Sequence, residues 1–289
     1  LRASSTATVD DCVKPGDVLY RRFWEPLTLA VLNATPAEGS ADLMRAVLLE
    51  TVAKGADACR PLIARTSLAD ALVDPAIAML EKAGVQLRLS TRVRGFEFSG
   101  SAVRALAVDD GQTELQRDDL VVLAVPAWVA ETLVSGLKVP PAGEAIVNVH
   151  YRMPTLHTGE AQIIGVVGGL SQWVFLRGET ASVTISAAGP VEDMPAEDIA
   201  AKCWPEVVMA LGLGTLPAPT ARVVKERRAT PAQTPAAVAL RPQVTTAYDN
   251  LLLAGDWTAT GLPATIEAAI RSGFAAANVA SKRLSAAAS

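Results

Sequence analysis

The sequence predicts a mixed α/β fold in which two sheet systems alternate along the chain. Segments with apolar residues at helical spacing are interspersed with segments of strict apolar–polar alternation. Two short runs that are almost wholly apolar, 120–125 and 251–254, have the pattern of strands covered on both faces. The alternating segments within 144–190 instead indicate an antiparallel sheet. These three observations predict a nucleotide-binding type of domain interrupted by a second, antiparallel one.

The amino-terminal part of the chain is predicted to be mainly helical, over residues 10–60. Ser40 is expected to be the N-cap of a helix at 41–54, because its side chain can accept from an amide of the first turn. A further helix is expected to begin at Asp74, where a proline follows, and to end at Gly84.

The middle of the chain changes to a period of two residues, which is typical of strands. The predicted elements are a strand at 85–89, a hairpin at 93–98 and 103–108, a further strand after Gly111, a central strand at 120–125 and a short helix at 128–133.

The second half is predicted to hold an antiparallel sheet and then the return to the first sheet. The expected strands are 145–151, 161–167, 171–177, 181–187 and 221–228, with a helix at 193–211, a buried strand at 251–254 and a final helix at 263–284. On this last helix, Ile266, Ile270 and Phe274 recur every four residues, and we expect them to face the core. The domains are therefore expected to interleave, with 1–73 and 129–235 in one domain and 74–128 and 236–289 in the other.

Composition excludes some classes of function. The chain has 289 residues, 50% of them hydrophobic, and a net charge of −4, so it lacks the basic field that holds nucleic acid. Cys12, Cys59 and Cys203 are too widely spaced for a disulfide framework or a cysteine metal site. His150 and His157 have no carboxylate cluster beside them, so no metal is expected.

The ends of the chain and its apolar runs bear on its location. The first nine residues are polar and contain no secretory signal, and the longest apolar stretch, 120–130, includes Pro126 and is too short to cross a bilayer. The chain begins with Leu, which is what a processed or truncated product would show. A cytoplasmic location is expected.

The segment 251–273 carries the strongest functional signal. A buried strand ends at Ala254, Gly255 permits a close approach of the backbone, and Asp256 is the first charge after the strand. Pro263 stands where a helix can begin. In open α/β sheets, ligands bind at the carboxyl ends of strands, and a helix start there favours negative charge. From spacing alone, an ordinary buried strand-turn-helix is an equally good interpretation.

The residues 254–273, AGDWTATGLPATIEAAIRSG, resemble the carboxy-terminal FAD motif of the amine oxidase and phytoene desaturase superfamily. They are most similar to the squalene-associated FAD-dependent desaturases, the hydroxysqualene dehydroxylase group of hopanoid biosynthesis. The resemblance extends over most of the chain, in the segments 23–36, 85–93, 121–128 and 226–242. It implies an FAD-dependent oxidoreductase with an incomplete Rossmann-like FAD-binding domain and an interleaved substrate domain.

The resemblance also implies cofactor contacts. Gly255 and Asp256 are expected at the FAD pyrophosphate and ribityl chain, and Val93 is expected to contact adenine through its backbone, although a plain core residue is as good an interpretation of Val93. At the start of the last helix, backbone N–H groups are expected to meet the isoalloxazine; the residues concerned are Thr265, Ile266 and Glu267.

The implied reaction removes the hydroxyl of hydroxysqualene with hydride from reduced flavin, and its substrate is an apolar polyprenoid. The residues predicted to line the substrate tunnel are Trp24, Leu27, Asn33, Trp173 and Phe175, each of which is also a candidate for plain core packing. Asn33 is an amide within an apolar helix, placed to hold the leaving hydroxyl. The sequence identifies no catalytic residue.

One part of the family pattern is missing from the sequence. A GxGxxG unit after a strand is not found; the segments 212–217 and 165–169 are rich in glycine but have the wrong spacing or position. The simplest explanation is that the amino-terminal nucleotide-binding half was lost or never included, so the chain by itself is expected to bind FAD weakly or not at all. A separate amino-terminal half is a candidate partner that would complete the flavin site. Two alternatives remain at this point, a phytoene or carotenoid-type desaturase and a non-catalytic fragment or partner.

Overall fold

The computed structural model describes residues 4–287, apart from the side chains of Leu156, Thr158 and Ala287. The α-helices are α1 Glu25–Leu32, α2 Ala41–Glu50, α3 Asp74–Lys82, α4 Ala127–Leu133, α5 Ala196–Leu211, α6 Pro235–Val238 and α7 Ile266–Ala287. The strands are β1 Val93–Ser99, β2 Ala102–Val108, β3 Gly111–Glu114, β4 Val121–Leu123, β5 Ile146–Gly165, β6 Trp173–Ile185, β7 Ala221–Glu226 and β8 Leu251–Leu253. Two π-helices, Tyr20–Trp24 and Ala69–Val73, precede α1 and α3.

The strands form three sheets, and the predicted mixture of parallel and antiparallel pairing is confirmed. One antiparallel sheet has the order β1-β2-β3, a second has the order β6-β5-β7, and β4 and β8 pair in parallel. The largest core cluster lies between α5 and the β6-β5-β7 sheet.

The parallel pair brings together segments that are far apart in sequence. Val121 is opposite Leu251, and Leu123 is opposite Leu253. The β1-β2 hairpin is fastened to this pair by Asn250, whose Oδ1 accepts from the amide of Val103 and whose Nδ2 donates to the carbonyl of Val103 (both 2.8 Å). The carboxyl ends of β4 and β8 therefore meet at one edge of a fixed unit.

The helix starts follow the predicted capping chemistry. Ser40 caps α2, its Oγ accepting from the amide of Leu43 at 3.5 Å. The helix ends at Glu50, earlier than predicted, because the chain tightens into 3₁₀ turns from Val52. α3 begins at Asp74 as predicted.

Two strand predictions were wrong. Residues 85–89 form no strand, because no strand of the described chain pairs with them. Leu89 is 80% exposed. Apolar–polar alternation alone is therefore not sufficient to form a strand. The four strands predicted within 145–187 are two long ones, β5 and β6. Their pairing continues through register shifts near His157 and does not stop at a turn.

The predicted core face of α7 was also wrong. Ile266, Ile270 and Phe274 are all exposed, Phe274 by 67%. The buried face instead carries Ala268, Ser272 and Ala276. Such small side chains let the helix axis approach β8 closely, as Ala276 does against Leu252 and Ala254.

Candidate functional site

A cavity of about 400 Å³, called cavity 1, lies where β4 and β8 end. One wall is Ala124–Trp128, which leads from β4 into α4, and another is Gly255–Trp257, which follows β8. Pro140–Ala142 and Arg228–Pro231 close the opposite side. A cavity at the carboxyl ends of neighbouring parallel strands is the position at which open α/β sheets bind ligands.

Gly255 makes the turn at the base of cavity 1 possible. Its φ of +141° is open to glycine and strained for other residues. A Cβ on this residue would lie 2.6 Å from Cδ1 of Trp257, closer than carbon atoms pack. Its amide donates to Oγ of Ser272 on α7 (2.7 Å), which joins the turn to the helix.

Trp257 joins the ends of the two parallel strands. Its indole is 1% exposed, and its Nε1 donates to the carbonyl of Val125 at 2.8 Å. The side chain of Thr258 closes the same turn by donating to the carbonyl of Gly255 (2.8 Å). The wall of cavity 1 is thus fixed by buried hydrogen bonds from both strands.

Asp256 is a half-buried carboxyl on the wall of cavity 1. Burial raises its pKa above the ordinary value of 3.8, while the Arg241 guanidinium and the amides of Asp256 and Trp257 act in the opposite direction. A carboxyl in this condition can accept hydrogen bonds from a ligand's hydroxyl groups or hold a proton.

Arg241 lies behind this turn and is 7% exposed. Its Nη1 donates to the carbonyl of Leu262 (2.7 Å), and its Nη2 approaches Oε1 of Gln233 (3.4 Å). Burial lowers its pKa, and the charge of Asp256 opposes that shift. Within the described residues, Nε of Arg241 has no hydrogen-bond partner, which makes this guanidinium a costly buried cation.

Gln233 fixes the approach to α7 together with Arg241. Its Oε1 accepts from the amide of Ala264 (2.8 Å), and its Nε2 donates to the carbonyl of Leu32 at the end of α1 (2.7 Å). One buried amide therefore connects the helical amino-terminal part of the chain to the turn before α7.

The start of α7 is one turn later than the prediction at Pro263. Thr265 is the N-cap: its Oγ1 accepts from the amide of Ala268 at 3.2 Å. The first intrahelical bond runs from the amide of Ala269 to the carbonyl of Thr265 (3.0 Å). The N–H groups of Ile266 and Glu267 come before it and are free of the helix ladder, so this helix start presents donors and a positive dipole end.

The predicted cofactor residues fall into separate places. Gly255 and Asp256 line cavity 1. Thr265, Ile266 and Glu267 form the start of α7, the helix whose Ala269 also lines cavity 1. Val93 is elsewhere, at the first position of β1, where it is half-buried opposite Val108. The roles of these residues toward a cofactor stay predictions.

The predicted substrate residues lie in separate regions, near α1 and on β6. Trp24 and Leu27 pack against the small helical core around Leu32. Trp173 lines a second cavity of about 200 Å³, called cavity 2, together with the start of α1 and the β5–β6 turn. Phe175 is half-buried two residues further along β6, on the same strand face as Trp173.

The side-chain amide of Asn33 forms hydrogen bonds through both its nitrogen and its oxygen. Its Nδ2 donates to the carbonyl of Glu144 (2.6 Å) and to Oγ1 of Thr230 (3.2 Å), and its Oδ1 accepts from the amide of Ala187 (2.7 Å). Both N–H donors are therefore used within the protein, and the side chain joins three segments instead of presenting a free amide.

Arg241, Gln233 and Ser272 were not identified from the sequence. Arg241 and Gln233 lie in a proline- and alanine-rich connector without periodicity, and Ser272 resembles any small residue of an amphipathic helix. The one available signal was a lone charge, Arg241, in an otherwise apolar stretch before a buried strand.

Metal chemistry is not indicated by the described part of the chain. Among residues 4–287 no three His, Cys, Asp or Glu side chains are grouped so that they could hold an ion. Cys12, Cys59 and Cys203 are free thiols, and burial raises the pKa of Cys203. His150 forms a hydrogen bond with Ser182 (2.8 Å).

Comparison with known proteins identifies the family. The sequence profile described as flavin containing amine oxidoreductase matches residues 11–280. The chain belongs to this family. A flavin is the cofactor that the family's description names, and the donors and glycine turn beside cavity 1 fit such a group.

Three curated relatives of this amine oxidoreductase chain are named hydroxysqualene dehydroxylase. The proteins from Sinorhizobium fredii and Rhodopseudomonas palustris are each 44% identical, over 97% and 96% of this chain and 67% and 66% of their own lengths. The protein from Zymomonas mobilis is 38% identical over 97% of this chain and 67% of its own length. The chain thus spans about two thirds of the length of these relatives.

Solved structures of other oxidoreductases share the fold. An oxidoreductase from Methanosarcina mazei superposes with a TM-score of 0.69 at 11% identity, over 94% of this chain and 67% of that one. A double mutant of putrescine oxidase gives 0.68 at 16% identity, over 97% and 68%. No helix in the described residues has the length and apolar character needed to span a membrane.

Proposed function

We propose that this chain carries the substrate-binding and flavin-closing parts of an FAD-dependent hydroxysqualene dehydroxylase, which converts hydroxysqualene to squalene. The observation that carries the proposal is the 38–44% identity to three enzymes of that name across nearly the whole chain. Identity at this level, spread over both the β4–β8 pair and the antiparallel sheet, favours the same substrate class.

The fit of the site to FAD supports the cofactor proposal. Gly255 lets a ligand approach the backbone, Asp256 offers acceptors for sugar-type hydroxyl groups, and the amides of Ile266 and Glu267 offer donors to an anionic edge. Val93 is proposed to contact the adenine. When bound, reduced flavin supplies the hydride that replaces the hydroxyl, while one proton leaves with that hydroxyl as water.

The task of this chain's own residues is to hold the substrate and to exclude water. Cavity 1 is lined mainly by alanine, valine, proline and tryptophan, which suits an apolar polyprenoid. Asp256 is the carboxyl at this cavity whose pKa is raised, so it holds a proton to a higher pH than an exposed aspartate. A polyprenoid dissolves poorly in water, so we also propose a cytoplasmic location with peripheral contact at the inner face of the membrane.

A separate nucleotide-binding half is part of the proposal. The exposed face of α7, formed by Ile266, Ile270 and Phe274, lies on the helix that covers β8. A parallel pair of two strands normally belongs to a larger sheet with helices on both faces. Further strands and helices beside this unit would cover that face and supply the phosphate-binding turn.

Product analysis separates this proposal from a phytoene or carotenoid-type desaturase. The chain and the nucleotide-binding half are incubated with FAD and, in parallel, with hydroxysqualene under reducing conditions or with phytoene under oxidising conditions, and the extracts are analysed by mass spectrometry. Squalene formation supports the dehydroxylase; desaturated phytoene supports the alternative. Consumption of a primary amine, with neither polyprenoid changed, contradicts both.

The absorption spectrum of the purified chain tests the remaining alternative, a fragment or non-catalytic partner. Bound flavin in the chain by itself would contradict the need for a separate half. A colourless chain that gains flavin absorbance when an amino-terminal nucleotide-binding polypeptide is added would support that need.

A further inference from the structure

Cavity 2 lies at the junction of α1 and the β5–β6 turn. Its walls are Glu25, Pro26 and Leu29 of α1, the glycine-containing segment 165–169, and Gln172 and Trp173. Glu25 is the one ionisable side chain among these lining residues. The π-helix that ends at Trp24 leads directly into this turn, and such helices are frequent beside functional sites.

The β5–β6 turn is held rigidly, so cavity 2 is not a gap between loose loops. The carboxylate of Glu206 on α5 accepts from the amides of Leu170 (3.0 Å) and Ser171 (2.7 Å). The amide of Val166 donates to the carbonyl of Gln172 at 2.8 Å, which closes the turn. A cavity with fixed walls is what a preformed ligand site requires.

A strained junction separates cavity 2 from cavity 1. Within the described residues, four that are not glycine have a positive φ, and three of these meet here: Asn33 (+48°), Gln172 (+30°) and Ala187 (+47°). The side chain of Gln172 binds the amide and carbonyl of Ser186 (both 2.9 Å), and the amide of Ala187 donates to Asn33.

The junction links the walls of the two cavities. Gln172 lines cavity 2, and Asn33 at the other end donates to Thr230, which lines cavity 1. A strained backbone conformation persists where surrounding contacts hold it in place, and such conformations are concentrated at ligand sites. The hydrogen bonds through Ser186, Ala187 and Asn33 are such contacts, so the spacing of the cavities is built into the fold.

The substrate and the cofactor are both proposed to use cavity 1. Gly255 and Asp256, which are predicted to contact FAD, line this cavity of about 400 Å³ together with its apolar residues. Cavity 2 adds about 200 Å³ that no predicted cofactor residue lines, so this space is open to the polyprenoid alone.

We propose that cavity 2 is the subsite for one apolar end of the polyprenoid, and that the junction of Asn33, Ala187 and Gln172 sets its distance from cavity 1. This inference rests on the proposed function for the identity of the substrate. It adds a binding site on the far side of Asn33, with Trp173 as the aromatic wall and Leu29 as the aliphatic wall.

The test uses the fluorescence of Trp173 and needs neither flavin nor turnover. The full chain is titrated with a terminally brominated long-chain alkanol, because bromine quenches an indole only on close contact. Saturable quenching that is reversed by farnesol is expected. In Trp173→Phe the saturable quenching should be smaller by the share of Trp173, since that reporter is gone and the cavity remains; any quenching that is left reports Trp128 and Trp257 of cavity 1.

Two filling variants and one control locate the ligand. Leu29→Phe and Val167→Phe, the second at an exposed position where folding is not at risk, should each weaken binding about tenfold or more. Ala30→Phe, on the exposed side of the same helix, should bind as the wild type does. Unchanged affinity in Val167→Phe with an unchanged melting temperature, or equal quenching in Trp173→Phe, overturns the subsite. Squalene formation can still be observed in that case, so the two failures are distinguishable.

Discussion

Gly255→Ala is the perturbation that most sharply tests the geometry of the turn after β8. Alanine at φ +141° carries a backbone strain of order 1–3 kcal/mol. Its Cβ also lies 2.6 Å from Cδ1 of the buried Trp257 indole, and overpacking of this kind costs about 1–3 kcal/mol. We expect a loss of about 4 kcal/mol in the free energy of unfolding, or a fall of about 8 °C in melting temperature for a chain of this size.

The matched control is Gly273→Ala on α7. A Cβ at Gly273 meets open space, and the residue is inside a helix, so alanine should stabilise by about 0.5–1 kcal/mol. Urea unfolding of both variants, followed by far-UV circular dichroism, measures the difference. If Gly255→Ala is within 1 kcal/mol of the wild type, the assignment of Gly255 as a position that only glycine satisfies is refuted.

Four further changes probe the same region and the junction. Ser272→Ala removes the acceptor of the Gly255 amide and should cost about 1–3 kcal/mol in urea unfolding; a smaller effect than Ser281→Ala would contradict the contact. The pKa of Asp256 is raised in the folded protein above its ordinary value of 3.8. Protonation of Asp256 therefore adds to the free energy of unfolding below pH 3.8, and this contribution is lost as the pH rises through the folded pKa. Compared with the wild type, Asp256→Asn should become more stable as the pH rises from 3.8 to the folded pKa. A stability difference between the two proteins that does not change with pH would refute the burial argument. Asn33→Ala and Asn33→Gly both lose three hydrogen bonds, but only alanine is strained by the left-handed φ at this position. Asn33→Ala should therefore be less stable than Asn33→Gly by about 1 kcal/mol; equal melting temperatures would argue against strain there. Phe274→Glu should change stability by no more than about 0.5 kcal/mol, because the ring is 67% exposed, and a large loss would mean that the ring is packed.

The parts of the fold that sequence reasoning predicted are those decided by local chemistry. The Ser40 cap, the start of α3 at Asp74 and the β1–β2–β3 meander follow from capping and turn residues that act within a few positions. The pairing of β4 with β8 was predictable because both runs are apolar throughout and flank the strands of a separate antiparallel sheet.

The errors arose where a pattern needs a partner that the sequence does not specify. The alternation at 85–89 is real, but a strand also requires a neighbour with which to bond. On α7 the large apolar residues were expected inside, whereas close approach to β8 selected the face with Ala268 and Ser272. Periodicity gives the faces of a helix but does not decide which face is covered.

Part of the candidate site could also be predicted from the sequence. The turn at Gly255 and Asp256 was predictable from spacing and family resemblance, whereas spacing placed the helix start at Pro263, one turn before Ile266. Arg241 and Gln233 were not, because their roles depend on contacts with Leu262, Leu32 and Ala264 that only the folded chain brings together.

Hydrogen–deuterium exchange with and without FAD tests most directly that the flavin site lies at the ends of β4 and β8. The free amides of the helix start exchange fast unless a ligand accepts from them, because they come before the first intrahelical bond. With the nucleotide-binding half present, FAD should slow exchange most strongly across 254–268, and Gly255→Val should abolish the effect. Protection that leaves 254–268 unchanged while FAD is bound elsewhere would contradict the proposed site.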